Sequence, residues 1–88
     1  MISITYVSSA VFPFNETTLL DLVGQCQRNN QRLGITGILV YSDGNFIQVI
    51  EGADLVTHAL YERIERDVRH RAVTTVAQQR IDVREFQG

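Results

Sequence analysis

Residues 35–50, ITGILVYSDGNFIQVI, decide the fold. Two runs rich in β-branched and aromatic residues, ITGILVY at 35–41 and FIQVI at 46–50, flank Ser42-Asp43-Gly44-Asn45. Asp-Gly between apolar runs is the strongest short-range hairpin signal, because a type I′ turn needs positive φ at both central residues. The segment therefore predicts two strands joined by a tight turn, the second ending near Glu51-Gly52.

Upstream, Gly34 is a stop signal for a helix whose Leu19, Leu22, Val23 and Cys26 follow helical spacing and lead onto Asn29 and Asn30. Thr18, three residues before Asp21, makes an acceptable capping pair, with Asn15 a rival cap. Phe12-Pro13-Phe14-Asn15 separates that helix from a first strand, ISITYVS at 2–8, in which Ile2, Ile4 and Tyr6 alternate with Ser3, Thr5 and Val7. Downstream, Asp54 can cap a second helix carrying Val56, Ala59, Leu60 and Ile64 on one face and running out near Asp67 or Arg69. Residues 72–84 read as strand, and REFQG at 84–88 can begin another. The order β-α-β-β-α-β predicts an α+β, ferredoxin-like sandwich, with two helices on one face of a mixed sheet. Right-handed crossovers then place the first and third strands side by side in its middle.

At 88 residues the chain is read as one domain, 1–88, with a thin core that a cofactor or partner chain would stabilise. Hydrophobic residues make up 44%, enough to fold. The 8 basic residues are all arginine and are outnumbered by 10 acidic ones, a net charge of −2. That balance argues against nucleic acid or an anionic membrane as partner. One cysteine makes no internal disulfide, and no His/Cys cluster suggests a metal. Apolar stretches of about five residues are too short to span a bilayer, and MISITYV lacks the features of a signal peptide. A soluble cytoplasmic domain is the expectation.

Polar residues fall where the pattern calls for apolar ones. Tyr6 shares a strand face with Ile4, Gln48 shares one with Phe46 and Ile50, and Asn29-Asn30 continue a helical apolar stripe. Both strands are central in the proposed topology, so Tyr6 and Gln48 can meet beneath the helices. Burying such groups without partners costs roughly 1–3 kcal/mol each. Plainer readings stand beside this one. Tyr6 can be a core tyrosine, Gln48 can face solvent with Ile47 and Val49 buried instead, and Asn29-Asn30 can be a polar helix end. Arg69-His70 can be a solvated loop and His58 a surface residue. Cys26, with no base beside it, reads as a small core residue.

Taken together, the motifs YVSSA at 6–10, QRNNQRLGITGILVY at 27–41, GNFIQVIEG at 44–52, LYERIERDVRH at 60–70 and REF at 84–86 resemble the BLUF family of flavin-binding blue-light sensors. Tyr6 and Gln48 fall on that family's light-reactive tyrosine and glutamine, and Asn30 on the asparagine that holds the flavin carbonyl region. The resemblance implies FAD, with FMN compatible with the same contacts, its ring inserted between the helices against Leu22 and Ile64. Gln48 would bridge Tyr6 to the N5 and C4-carbonyl edge, Asn30 would bond the C4-carbonyl and N3 region, and Asn29 would help fix the ribityl side. Arg63, Asp67, Arg69 and His70 would meet the ring's polar edge or the phosphate tail. Blue light would then draw an electron and a proton from Tyr6, and the Gln48 amide would rearrange by rotation or tautomerisation. No substrate would be turned over. The output would pass to a protein effector, and a homo-oligomer is expected. The family's fifth strand, with its tryptophan and methionine, follows the match to Arg84-Glu85-Phe86 and falls outside residues 1–88, which contain no tryptophan.

Competing readings are a non-photoactive regulatory or dimerisation module of the same fold, which would carry no flavin, and a small acylphosphatase-type hydrolase using Arg28 or Arg32. The latter pair lies in no anion-binding loop at the end of the first strand. RNA binding ranks lower still, since DGNFIQVIE has one aromatic and the chain is acidic.

Overall fold

Asp43 and Gly44 both take positive φ, 50° and 81°, so the predicted turn forms and joins β2 (Thr36–Ser42) to β3 (Asn45–Gly52). The structure, a computed structural model, describes residues 1–11 and 14–86. The other elements are β1 (Ile2–Ala10), α1 (Glu16–Leu33), α2 (Asp54–Glu65) and β4 (His70–Arg80). Phe12 and Pro13 of the predicted break, and Gln87 and Gly88 of REFQG, lie outside the described residues; Ile81–Phe86 form no strand.

The sheet order is β2-β3-β1-β4, with β1 and β3 central as predicted. The expected mixed sheet is corrected: every pairing among the described residues is antiparallel. The strands joined across α1, β1 and β2, run in the same direction, but the hairpin inserts β3 between them, so they never hydrogen-bond to each other.

Helix ends follow local chemistry. Asn15, not Thr18, caps α1: its Oδ1 accepts the Thr18 N–H at 2.8 Å. Gly34 closes the helix in the left-handed region, φ 69°, and its N–H returns to the Asn30 and Gln31 carbonyls. Asp54 does not cap α2. It lies one residue inside, after Ala53, where its carboxylate accepts from Arg80 at 2.8 Å and faces the terminal amine at 3.5 Å. The second helix ends at Glu65, before Asp67, whose carboxylate instead accepts the Arg69 N–H in a two-residue turn.

The core lies between α2 and the central strands. Register partners Ile4 and Ile50 are fully buried, joined by Ile2, Ile35, Leu60 and Tyr61. By contrast, α1 buries no residue, and its Leu19, Leu22, Val23 and Cys26 are only half-covered. A gap therefore separates the two helices above the sheet. On the sheet's other face Ile38, Val40 and Ile47 stand half-exposed. Between β2 and β3 the backbones approach so closely at Gly37 that a Cβ would lie 1.9 Å from the Val49 carbonyl oxygen. Gly37→Ala is expected to lower stability by about 2–3 kcal/mol in a denaturant titration, because backbone rather than a side chain must give way.

Beyond β4 the chain turns back beneath the sheet. Ile81 N–H donates to the Met1 carbonyl, and the Arg84 guanidinium reaches the Gly34 carbonyl at 2.8 Å and Thr36 Oγ1 at 2.9 Å. Glu51, 1% exposed, accepts from the Thr36 hydroxyl (2.7 Å) and from the backbone N–H groups of Glu85 (3.1 Å) and Phe86 (2.8 Å). Burial pushes its carboxyl up, but these donors and the nearby Arg84 charge outweigh that and hold it below the usual carboxylate range.

Candidate functional site

The gap between α1 and α2 is a cavity of about 250 Å³, floored by β1 and β3. Every residue that the resemblance assigns to the flavin lines it: Tyr6, Leu22, Asn29, Asn30, Gln48, Arg63, Ile64, Asp67, Arg69 and His70. Gln25, Cys26, Leu39, Phe46 and Leu60 complete the wall. Gln25 was legible in principle, since Leu22, Gln25, Cys26 and Asn29 share one helix face. Leu39 was not, because only the β2–β3 register sets it opposite Gln48.

Tyr6 and Gln48 are cross-strand partners on the helix-facing side of β1 and β3. They are 3% and 7% exposed, which removes the reading of Gln48 as a solvent-facing residue. The Tyr6 hydroxyl donates to Gln48 Oε1, while Gln48 Nε2 has no hydrogen-bond partner among the described residues. Burial, reinforced by Cys26, Tyr61 and Asp67, pushes the Tyr6 phenol well above its ordinary value, so it stays protonated at physiological pH. The Tyr61 ring packs against it at 5.4 Å between centroids.

Along α1, Asn29 Oδ1 accepts from Arg32 at 2.6 Å, and the Asn30 carboxamide has no partner among the described residues. At the rim, Arg69 binds Asp67 through Nε (2.9 Å) and Nη2 (2.5 Å) and reaches Gln25 Oε1 through Nη1 (2.9 Å). This bridge ties α1 to the loop after α2 and holds the Asp67 carboxyl below the usual range. Arg63, by contrast, has no carboxylate partner among the described residues. Burial pushes the Cys26 thiol up, as suits a packing residue rather than a nucleophile.

A half-buried carboxamide on α1 and the buried Tyr6–Gln48 pair on the sheet thus face one cavity between the two helices. The sequence matches the family model described as "Sensors of blue-light using FAD" over residues 1–88, and the chain belongs to this BLUF family. It is 38% identical over 74 residues to the photoactivated adenylate cyclase subunit beta of Euglena longa, covering 84% of this chain. The chain spans only 9% of the length of that relative. A bacterial light-regulated adenylyl cyclase superposes with a TM-score of 0.91 at 30% identity, covering 98% of this chain and 25% of the other. The dark-state structure of BlrB, a BLUF protein, gives 0.89 at 32%, covering 97% and 64%. No helix among the described residues is long and apolar enough to cross a membrane.

Proposed function

We propose that this chain senses blue light through a flavin held in the α1–α2 cavity, with Tyr6 as electron and proton donor and Gln48 as the group that records the event. The observation that carries this reading is the Tyr6–Gln48 hydrogen bond at the cavity floor. The residues fit the cofactor. Leu22 and Ile64 offer opposed aliphatic surfaces for a flat ring, and the free amides of Gln48 and Asn30 suit its N5, C4-carbonyl and N3–H edge. Such a ring would also cover the half-exposed stripe of α1. Arg63, without a carboxylate partner, suits a phosphate or carbonyl oxygen better than Arg69, which is committed to Asp67 and Gln25.

Excited by blue light, the bound flavin supplies an electron acceptor. Tyr6 gives up an electron and passes its proton to Gln48 Oε1, the atom its hydroxyl already faces. A carboxamide carries donor and acceptor on one group, so rotation or tautomerisation exchanges what Gln48 presents to Tyr6 and to the cavity. The return of electron and proton leaves Tyr6 restored beside a rearranged amide. Because Gln48 lies on β3, three residues before Glu51, the change is delivered to the strand that holds residues 84–86.

In this reading the chain turns over no substrate. Its output passes by contact to a protein effector, and the half-exposed Ile38, Val40 and Ile47 suit a protein partner or a second copy better than nucleic acid or a membrane. A cytoplasmic setting fits these assignments. The test is the visible spectrum of the purified chain supplied with FAD or FMN, in the dark, after a blue flash and through recovery. A flavin band that moves reversibly to the red supports the reading, and the retained nucleotide, released and separated by chromatography, chooses FAD or FMN. A chain that takes up neither flavin removes it and leaves a non-photoactive regulatory module.

A further inference from the structure

His70 opens β4 and lines the cavity, yet neither of its ring nitrogens is free. Nε2 lies 2.5 Å from the Ile64 carbonyl oxygen at the end of α2, and Nδ1 lies 2.8 Å from Ser8 Oγ on β1. A carbonyl oxygen only accepts, so Nε2 carries the proton; in the neutral ring Nδ1 then accepts from the Ser8 hydroxyl. The imidazole is thus fixed by two elements other than its own, and it stands edge-on to Tyr6 and Phe46, at 6.4 and 6.3 Å between centroids. Its strand is bent to allow this. Ala72 sits at φ 55°, and the β1–β4 register slips between Val7 and Ser9, so two β4 residues oppose Ser8. Such bulges re-aim side chains next to functional sites.

We propose that His70 is a positioning residue for Tyr6: pinned as the Nε2–H tautomer between Ile64 and Ser8, it fixes the Tyr6 ring and with it the direction of the Tyr6–Gln48 hydrogen bond, and it gives no nitrogen to the cofactor. The photochemical part of this inference rests on the function proposed above; the tautomer and the restraint on Tyr6 do not. The Tyr61 ring also packs against Tyr6, its hydroxyl tied to Thr75 Oγ1 at 2.6 Å. Loosening His70 therefore frees one of the two aromatic neighbours that Tyr6 has among the described residues.

The test uses the full chain carrying His58→Gln, so that ¹⁵N-histidine reports His70 alone, before and after FAD is added. One protonated and one bare ring nitrogen, assigned Nε2 and Nδ1 and unchanged by FAD, is the expected result. The opposite tautomer, or a ring nitrogen that changes state when FAD binds, overturns the proposal. Ser8→Ala, which removes the Nδ1 partner without touching the cavity wall, is expected to speed Tyr6 ring flips in the flavin-free chain by at least about threefold. In the loaded chain it is expected to change dark recovery by roughly three- to tenfold, the range one hydrogen bond's net worth implies, with FAD affinity kept within about twofold. Unchanged Tyr6 dynamics in Ser8→Ala overturns the restraint, and unchanged recovery overturns its photochemical role. A chain that takes up neither FAD nor FMN refutes the function proposed above, while the flavin-free tautomer and ring-flip measurements still decide the positioning of Tyr6.

Discussion

Tyr6→Phe is expected to abolish the reversible light-induced shift while the flavin stays bound. The phenyl ring keeps the packing against Tyr61 and His70, so the cavity keeps its shape. What disappears is the only donor that Gln48 Oε1 has among the described residues, and with it the proton that the proposed mechanism passes to the amide. A buried acceptor left without its donor costs about 1–3 kcal/mol, a loss a domain of this size registers as roughly 4–24 °C in its melting temperature. Flash-induced absorbance difference spectra make the comparison. A Tyr6→Phe protein that still shifts with wild-type amplitude would assign the chemistry to another donor. The same environment sets a pH expectation. Because burial pushes the Tyr6 phenol well above its ordinary value near 10, the wild-type shift keeps its amplitude as pH is raised through 10, where an exposed tyrosine would have ionised.

Glu51→Gln is expected to release residues 84–86 and to lower stability by about 2–4 kcal/mol, the range for breaking a buried charged hydrogen-bond network. The carboxylate accepts three hydrogen bonds with no donor of its own. An amide in its place keeps one oxygen and turns an NH₂ group toward donors, leaving at least one of them unpaired. Hydrogen exchange at the Glu85 and Phe86 amides reads the effect directly, with protection expected to fall at least about tenfold; unchanged protection would show that Arg84 alone holds the segment. The sign of the pH dependence follows from the lowered carboxyl. Its stabilising contribution is fully present above the unfolded-state value near 4.3 and is lost as pH falls through the lower folded-state value, so wild-type protection at these amides falls at a lower pH than an ordinary carboxylate would set. Glu51→Gln removes this dependence.

Glu51 also shows where reading along the chain stops. Beside the Gln48 strand it looks like a polar residue closing a hairpin, and REF at 84–86 looks like the start of another strand. Their purpose is mutual. The segment after β4 must cross beneath the sheet before its amides meet a carboxylate more than thirty positions earlier, and no local pattern encodes that return. His70 is a similar case. Its place in a helix-end motif suggests contact with the cofactor's polar edge, whereas the fold occupies both its nitrogens with Ser8 and Ile64. The sheet was legible for the opposite reason. Its turn depends on two adjacent residues with positive φ, its strands on alternation, and its helices on a 3.6-residue stripe, all of which are local.

By itself, then, the sequence determined the element order, the Asp43-Gly44 turn, the Gly34 helix stop and the alternation along the strands that carry Tyr6 and Gln48. These are short-range steric and hydrophobic preferences that act within a few residues. Only the tertiary structure decided that Tyr6 and Gln48 are register partners, that α1 stands off the sheet to leave a cavity, and that Arg69, His70 and Glu51 are committed to protein partners. Those outcomes depend on strand register and on the distance between packed layers, and a hydrogen bond that works over about 3 Å is settled only once both are in place.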